Sequence, residues 1–410
     1  MRSTLLTASV FALLACSGGS DAQTRAAASD PQQSSAQSGA TIPSGERPEG
    51  GDDNAIAEPF KATPVANLAQ PWAMTFLPDG RMLVTQKTGE LLVVTQEGVK
   101  LGPVTGTPEV DYGGQGGLGD VALHPDFENN HVVYLSFVEA GEDDTRGAAV
   151  GRGELDLNSM SLKDFEVVWR QSEKVEGRGH FSHRIVFSPD GQYMFVSSGE
   201  RQKFDPAQDM SNNLGSILRL NPDGTAAEGN PFADQGSPTD QIWSYGHRNI
   251  LGLAFGPDGT LWEHEMGPKG GDEFQRIEEG ENYGYPIVSN GDHYDGRPIP
   301  NHDTRPEFRA PDEFWNPVIS PSSLIIYTGD RYEGWQNTAL IGGLSSQALV
   351  HVTFDCELDG REICESERFQ MDNRIREVEQ GPDGLVWLLE DNGNDDGEGG
   401  RLLRLDPVQG

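Results

Sequence analysis

Gly179-His180-Phe181-Ser182-His183-Arg184 stands immediately before an apolar run, Ile185-Val186-Phe187. A histidine at a strand mouth suits general-base work, because its unperturbed pKa lies near neutrality. A lone histidine is more often structural, so the role requires a partner. Glu200, in Ser198-Gly199-Glu200-Arg201, lies at the other end of the same predicted hairpin, where it can orient the imidazole. Tyr245-Gly246-His247-Arg248-Asn249 precedes a second apolar run, Leu251 to Phe255. The planar fork of Arg248 can grip a carboxylate or a quinone oxygen, and Asn249 adds a donor beside it; a surface salt bridge is the plain alternative. Arg374-Ile375-Arg376 places two guanidinium groups on one face of a strand, since side chains alternate with period two. Two like charges so placed repel unless an anion lies between them or solvent screens them. Both readings stay open: a polyanionic ligand or a solvated edge.

A third grouping is rich in oxygen. Glu265-Met266-Gly267-Pro268, then Asp272-Glu273, then Asn282-Tyr283-Gly284-Tyr285-Pro286 offers carboxylates and free carbonyls at a Gly-Pro turn. These are hard-cation ligands of the calcium type, although the spacing is not that of an EF-hand. Asp391 to Glu398 is also acidic, fails the twelve-residue template and reads as a solvated loop. Asp111 to Gly119 contains a formal G-x-G-x-x-G, from Gly114 to Gly119. A dinucleotide fingerprint needs a strand before it and a helix after it, and His124-Pro125-Asp126 lies where the helix should run. What remains is a glycine-rich loop at a strand start, with Gln115 as its exposed polar side chain.

The elements that must position these residues repeat. An apolar strand, Pro-Asp-Gly and another strand recur around Gly80, Gly191, Gly259 and Gly384. Val121-Ala122-Leu123-His124-Pro125-Asp126-Phe127 is a variant, and Leu218 to Gly224 carries the same turn in another setting. Proline fixes φ at the first central position of the turn and glycine accepts the left-handed one. Helical periodicity longer than two turns is scarce after residue 60. Repeated hairpins over some 350 residues point to an all-β fold, a six-bladed β-propeller with long inserted loops. The segment from Glu265 to Asn290 is one such insertion, and insertions are where function concentrates.

Composition sets outer bounds. The 410 residues hold 30 Lys+Arg against 65 Asp+Glu, a formal charge of −35, which repels phosphate backbones and argues against nucleic acid as a partner. A salty habitat would favour the same acidity. Residues 1–15 read as a signal peptide: a basic start, an apolar run from Leu5 to Ala15 too short to span a bilayer, and Leu13-Leu14-Ala15-Cys16 as a lipobox. Lipidation of Cys16 would make the protein an exported lipoprotein on the periplasmic face of the outer membrane, the alternative being an ordinary periplasmic protein. Residues 16–60, poor in large apolar side chains, read as a flexible tether, and 61–410 as a single catalytic domain. Cys356 and Cys364 are spaced to close a small hairpin loop, and export favours their disulfide.

Taken jointly, Gly113 to Gly117, His180 before Arg184, Gly246 to Asn249, Gly267-Pro268, Asp272-Glu273 with Asn282 to Gly284, and Asn373 to Arg376 resemble the soluble quinoprotein aldose dehydrogenases. This is the glucose/sorbosone dehydrogenase family of six-bladed propellers that use pyrroloquinoline quinone (PQQ) and calcium. The resemblance covers about residues 64–408. It implies His180 as the base that takes the proton of the sugar's anomeric hydroxyl, with Glu200 orienting it. Gln115, Arg248, Asn249, Arg374 and Arg376 would hold the quinone, whose three carboxylates would explain the gathering of Arg248, Arg374 and Arg376 in an otherwise very acidic chain. Carbonyls of Gly267 and Pro268 would ligate the calcium touching the cofactor, and Glu273 with the backbone of Tyr283 a second, structural calcium. An aldose is the implied substrate, with an external electron acceptor as partner. Two departures stand out: Ser345 or a neighbour occupies a place where the family usually has a lysine, and Gly179 and His183 flank the base where the family often has a polar residue and a glycine. The rival readings are a calcium-dependent lactonase-type hydrolase and a catalytically silent binding propeller.

Overall fold

A computed structural model describes residues 58–356, 361–393 and 399–408. The lipobox at Cys16 and nearly all of the tether lie outside these residues. Six four-stranded antiparallel sheets are arranged as blades, which is the expected propeller. Their inner strands are Pro71–Phe76, Leu118–Leu123, Ser182–Phe187, Ile250–Phe255, Pro321–Tyr327 and Arg374–Gln380. Each contacts the next, and the last returns to the first, so they ring a central channel. We number the blades 1 to 6 in that order.

Blade 6 closes the ring. Its outermost strand is the first of the chain, Phe60–Leu68, paired antiparallel with the last, Gly400–Pro407, in a register that sets Phe60 opposite Pro407. The Phe60 ring is buried and meets Trp335 and Phe369 edge-on, at 5.9 and 5.1 Å between centroids. Six apolar layers, one between each neighbouring pair of blades, form the core. Sheet faces packed on both sides read as near-continuous apolar runs, such as Leu91-Leu92-Val93-Val94, all buried.

The Pro-Asp-Gly turns join the inner strand of a blade to its second strand. In each, the glycine N–H donates to the carbonyl three residues back, at 2.9 Å for Gly80 and 2.8 Å for Gly191. The aspartate Oδ1 accepts the backbone N–H two residues on, at 3.1 Å for Asp79 and 3.0 Å for Asp190, and Gly80 takes φ 84°. These turns lie at one end of the channel. Antiparallel pairing therefore puts the starts of the inner strands and the ends of the second strands at the opposite end, and every candidate residue named above falls there. Cys356 and Cys364 form a disulfide in the outer part of blade 5.

Candidate active site at the channel mouth

His180 sits just before the inner strand of blade 3 and is 5% exposed. Its Nδ1 hydrogen-bonds Glu200 Oε1. Glu200 follows the second strand of the same blade and is wholly buried. Burial works against its ionisation, but His180, Arg248 and backbone donors outweigh it and hold the carboxyl below its ordinary range. Those donors include the N–H groups of Gln202, Lys203 and Phe204, at 2.9, 2.5 and 2.7 Å. An ionised carboxylate only accepts hydrogen bonds, so the proton between the pair sits on Nδ1 and leaves Nε2 as the basic nitrogen. Burial first, and then Arg248, push the pKa of His180 below the usual histidine value. The imidazole is thus neutral and ready to accept a proton.

The loop holding His180 is strained. His180, Ser182 and His183 have φ of 49°, 58° and 60°, a region disfavoured for residues with a side chain. Gln115 steadies it by accepting the His180 N–H at 2.7 Å. Arg201 steadies it further, donating to the carbonyls of Gly179, Arg146 and Gly177 at 2.9, 2.6 and 2.6 Å. Its guanidinium also lies 3.8 Å above the Phe181 ring. His183 is buried beneath, stacked on Trp72 and bonded through Nδ1 to Ser136 Oγ at 2.7 Å. A side chain at Gly119 would collide with this ring, since its Cβ would lie 2.0 Å from His183 Cε1. The glycine loop and His183 are thus one packing unit.

Blade 4 supplies the next group. Arg248 is 3% exposed and donates through Nη1 to the carbonyls of Met266 and Gly267, at 2.9 and 2.8 Å. Glu265 Oε2 accepts the backbone N–H of Arg248, and that of Asn249 at 3.2 Å. The Glu200 N–H donates to the Arg248 carbonyl at 3.0 Å, tying the base pair to this segment. Asn249 is fully buried, its Oδ1 accepting from Ser182 Oγ at 3.3 Å. A pocket is lined by Arg248, Glu265, Gly267, Glu273, Tyr283 and Tyr285, among others. Pro268 is buried beside it without lining it.

Behind that pocket lies a carboxylate cluster. Ligand atoms of His247, Glu263 and Glu265 lie within 4.8 Å of one another, all buried. Glu265 and Glu273 are cross-strand partners, as are Glu263 and Gln275. His302 Nε2 approaches Glu273 Oε1 at 3.3 Å. Burial, reinforced by Glu265, raises the proton affinity of both Glu263 and Glu273. A divalent cation among these oxygens would relieve the repulsion, so the donor set fits a hard ion. Glu273 and Tyr283 are legible in the sequence as candidates. Glu263, which shares a strand face with Glu265 by period two, and His247, which reaches them from the segment before the inner strand of blade 4, are further members of the cluster.

Blade 6 corrects one reading. Asp391 is not part of a solvated loop: it ends the second strand of the blade, is 9% exposed, and lies between the two arginines. Its Oδ1 accepts from Arg374 Nε and its Oδ2 from Arg376 Nε, each at 2.7 Å. The anion that the arginine pair requires is therefore in part the protein's own. Two cations against one carboxylate still leave a net positive charge, and Arg248 adds another at the same mouth. Residues 394–398 of that acidic segment lie outside the described residues. Ser345, on the mouth-side turn of blade 5, is exposed and donates to Ser320 Oγ at 2.8 Å.

Burial opposes ionisation of Asp391, but Arg376 and Arg374 win and bring its pKa down to about 2 from 3.8. A carboxylate with a depressed folded-state pKa contributes stability above its unfolded pKa and loses it as pH falls through the folded one. Asp391→Asn is expected to cost roughly 2 kcal/mol at pH 7, and the gap from the unsubstituted protein should close as pH falls from about 4 towards 2. Urea midpoints measured across that range check it.

With this geometry in view, the comparisons decide the family. The glucose/sorbosone dehydrogenase family matches residues 68–404, nearly the whole propeller. The chain belongs to that family. Aldose sugar dehydrogenase YliI of Escherichia coli is 37% identical over 349 residues, spanning 83% of this chain and 91% of the relative. Quinoprotein glucose dehydrogenase B of Acinetobacter calcoaceticus is 27% identical over 405 residues, 80% of this chain and 84% of the relative. Among solved structures, the apo form of the soluble E. coli aldose sugar dehydrogenase superposes with a TM-score of 0.77, at 34% identity, covering 85% of this chain and all of that one. The PQQ-bound aldose sugar dehydrogenase of Streptomyces coelicolor gives 0.66 at 28% identity, covering 85% and 98%. In this chain the His180–Glu200 pair, Arg248 and the Arg374–Arg376 pair lie at the same mouth of the propeller.

Proposed function

We propose that the protein is a PQQ- and calcium-dependent aldose dehydrogenase that oxidises the anomeric C1 hydroxyl of a sugar to a lactone. The observation carrying this reading is the His180–Glu200 pair, a buried neutral imidazole with Nδ1 clamped, set beside Arg248 at the channel mouth. PQQ, when bound, would supply a two-electron acceptor for the hydrogen leaving C1, and calcium would supply Lewis acidity beside it.

The chain's residues do the rest. His180 Nε2 takes the C1 hydroxyl proton, and Glu200 stabilises the imidazolium so formed. Loss of that proton, together with the C1 hydrogen and its electron pair, turns the C1–O single bond into the lactone carbonyl. Arg248, Arg374 and Arg376 would face the cofactor carboxylates through charge-assisted bonds, with Asp391 holding the last two in place. Gln115 and Asn249 act through the His180 loop: one accepts the His180 N–H, the other holds Ser182. Gly267 with Pro268, and Glu273 with Tyr283, would hold calcium, the buried carboxylates Glu263 and Glu265 adding negative charge behind them. Sugar and an external electron acceptor are the partners. We also propose export under the residue 1–15 signal, with a lipid on Cys16 and residues 16–60 as tether.

The test is dye reduction by the protein reconstituted with PQQ and Ca²⁺, run over a panel of aldoses with lactone detected as product. Activity should require both additives. Turnover of lactones with Ca²⁺ alone would replace this reading with a hydrolase, and PQQ binding without turnover of any sugar would leave a binding propeller.

A further inference from the structure

Arg184 is the fourth residue after the base and is itself 5% exposed. Its side chain leaves the inner strand of blade 3 and meets a group from each of the other five blades. Nε donates to the Leu251 carbonyl of blade 4 at 2.7 Å, and Nη2 to the Ser322 carbonyl of blade 5 at 2.6 Å. Nη2 also pairs with Glu377 of blade 6 at 2.7 Å, and Nη1 with Asp120 of blade 2 at 3.3 Å. The guanidinium lies 4.2 Å from the centroid of Trp72, on blade 1. One cation thus touches all six inner strands across the axis of the propeller.

We propose that Arg184 is a positioning residue, a five-spoked hub that holds the base loop and the arginine strand of the mouth in fixed relation. Two local features make the hub matter to the site. Three left-handed residues, His180, Ser182 and His183, come just before it, and such strained backbone persists only where its surroundings over-determine it. Asp120 reinforces the anchor, accepting the Ile185 N–H on Oδ2 at 2.8 Å. On the far side, Glu377 directly follows Arg376, where the strand shifts register between Ile375 and Glu377. The pull of Arg184 on Glu377 therefore sets how Arg374 and Arg376 meet Asp391. Rigid spokes, unlike a flexible apolar plug, fix angle as well as distance.

A hub that only stabilises the fold and a hub that positions the site predict different results. Removing one member of a buried ion cluster is strongly destabilising, whereas replacing the whole cluster by neutral groups is often tolerated. Arg184→Met is expected to lower the melting temperature by roughly 5–10 °C. The triple variant Arg184→Met, Asp120→Asn, Glu377→Gln should recover at least half of that loss. If the hub positions the site, the triple variant will still bind PQQ at least tenfold more weakly, and its apo form will exchange amide hydrogens at least tenfold faster over residues 179–184 and 372–376. Arg184→Lys, with charge but no fork, should fall between the two in PQQ affinity. A triple variant with normal melting, PQQ affinity and exchange would overturn the proposal, as would an Arg184→Met protein indistinguishable from the unsubstituted chain. The affinity readout rests on the cofactor assignment; the exchange readout does not. Failure of the unsubstituted protein to bind PQQ would count against the cofactor and leave exchange to decide the hub.

Discussion

Replacing His180 by asparagine is expected to slow sugar oxidation about 10²- to 10⁴-fold, the usual worth of a positioned general base. Asparagine is chosen because residue 180 has φ 49°, a conformation it tolerates better than alanine does. The backbone bond to Gln115 Oε1 needs only the residue 180 N–H, so the loop and the cofactor contacts should survive. The loss should therefore appear in turnover, with PQQ affinity within about threefold of normal. Glu200 bears on the same step twice over. It fixes the tautomer through Nδ1 and, through the N–H groups of residues 202–204, shapes the loop beside the base. Rapid-mixing reduction of the loaded protein separates chemistry from binding. A loss below tenfold would remove His180 from the role of base.

Arg248→Met is expected to have the second large effect, weakening PQQ binding about 10²- to 10³-fold. This arginine is the most enclosed of the three at the mouth, at 3% exposure. Its substitution also strips donors from the carbonyls of Met266 and Gly267, in the segment that would present oxygen to calcium. Arg374 and Arg376 differ from it. They share Asp391, so losing one leaves the other to compensate the carboxylate, and the Arg374 side chain is 32% exposed. The expected order of effect is Arg248, then Arg376, then Arg374, with Arg374→Met below about tenfold. Titrations of apo protein with PQQ give this order directly. A larger effect from Arg374 than from Arg248 would move the cofactor carboxylates away from the blade 4 pocket.

How much of this was legible in the chain depended on sequence distance. The Pro-Asp-Gly turns are local chemistry, and they mark the hairpins and hence the all-β propeller in the sequence itself. His180 and Glu200 were legible as ends of one hairpin. The outermost strand of blade 6 was harder: Phe60 to Leu68 carries an ordinary pattern, and its partner is more than 330 residues away, opposite Pro407. Asp391 was misread for the same reason. In sequence it opens an acidic run, whereas in space it ends a strand whose neighbour carries Arg374 and Arg376. Glu263 was legible beside Glu265, since residues two apart on one strand share a face, whereas His247 joins them only when the segment before the inner strand of blade 4 folds over that face. Arg184 gave no sign of its reach, because its five partners come from five other blades.

The measurement that bears most directly on the central claim is reduction of the PQQ- and Ca²⁺-loaded protein by an aldose carrying deuterium at C1, followed in a single turnover without oxygen. Cleavage of the C1–H bond as His180 removes the hydroxyl proton predicts reduction slowed several-fold by the deuterium, with the slowed phase lost in His180→Asn. Reduction that ignores C1 deuterium, or that proceeds as fast without His180, would contradict the account.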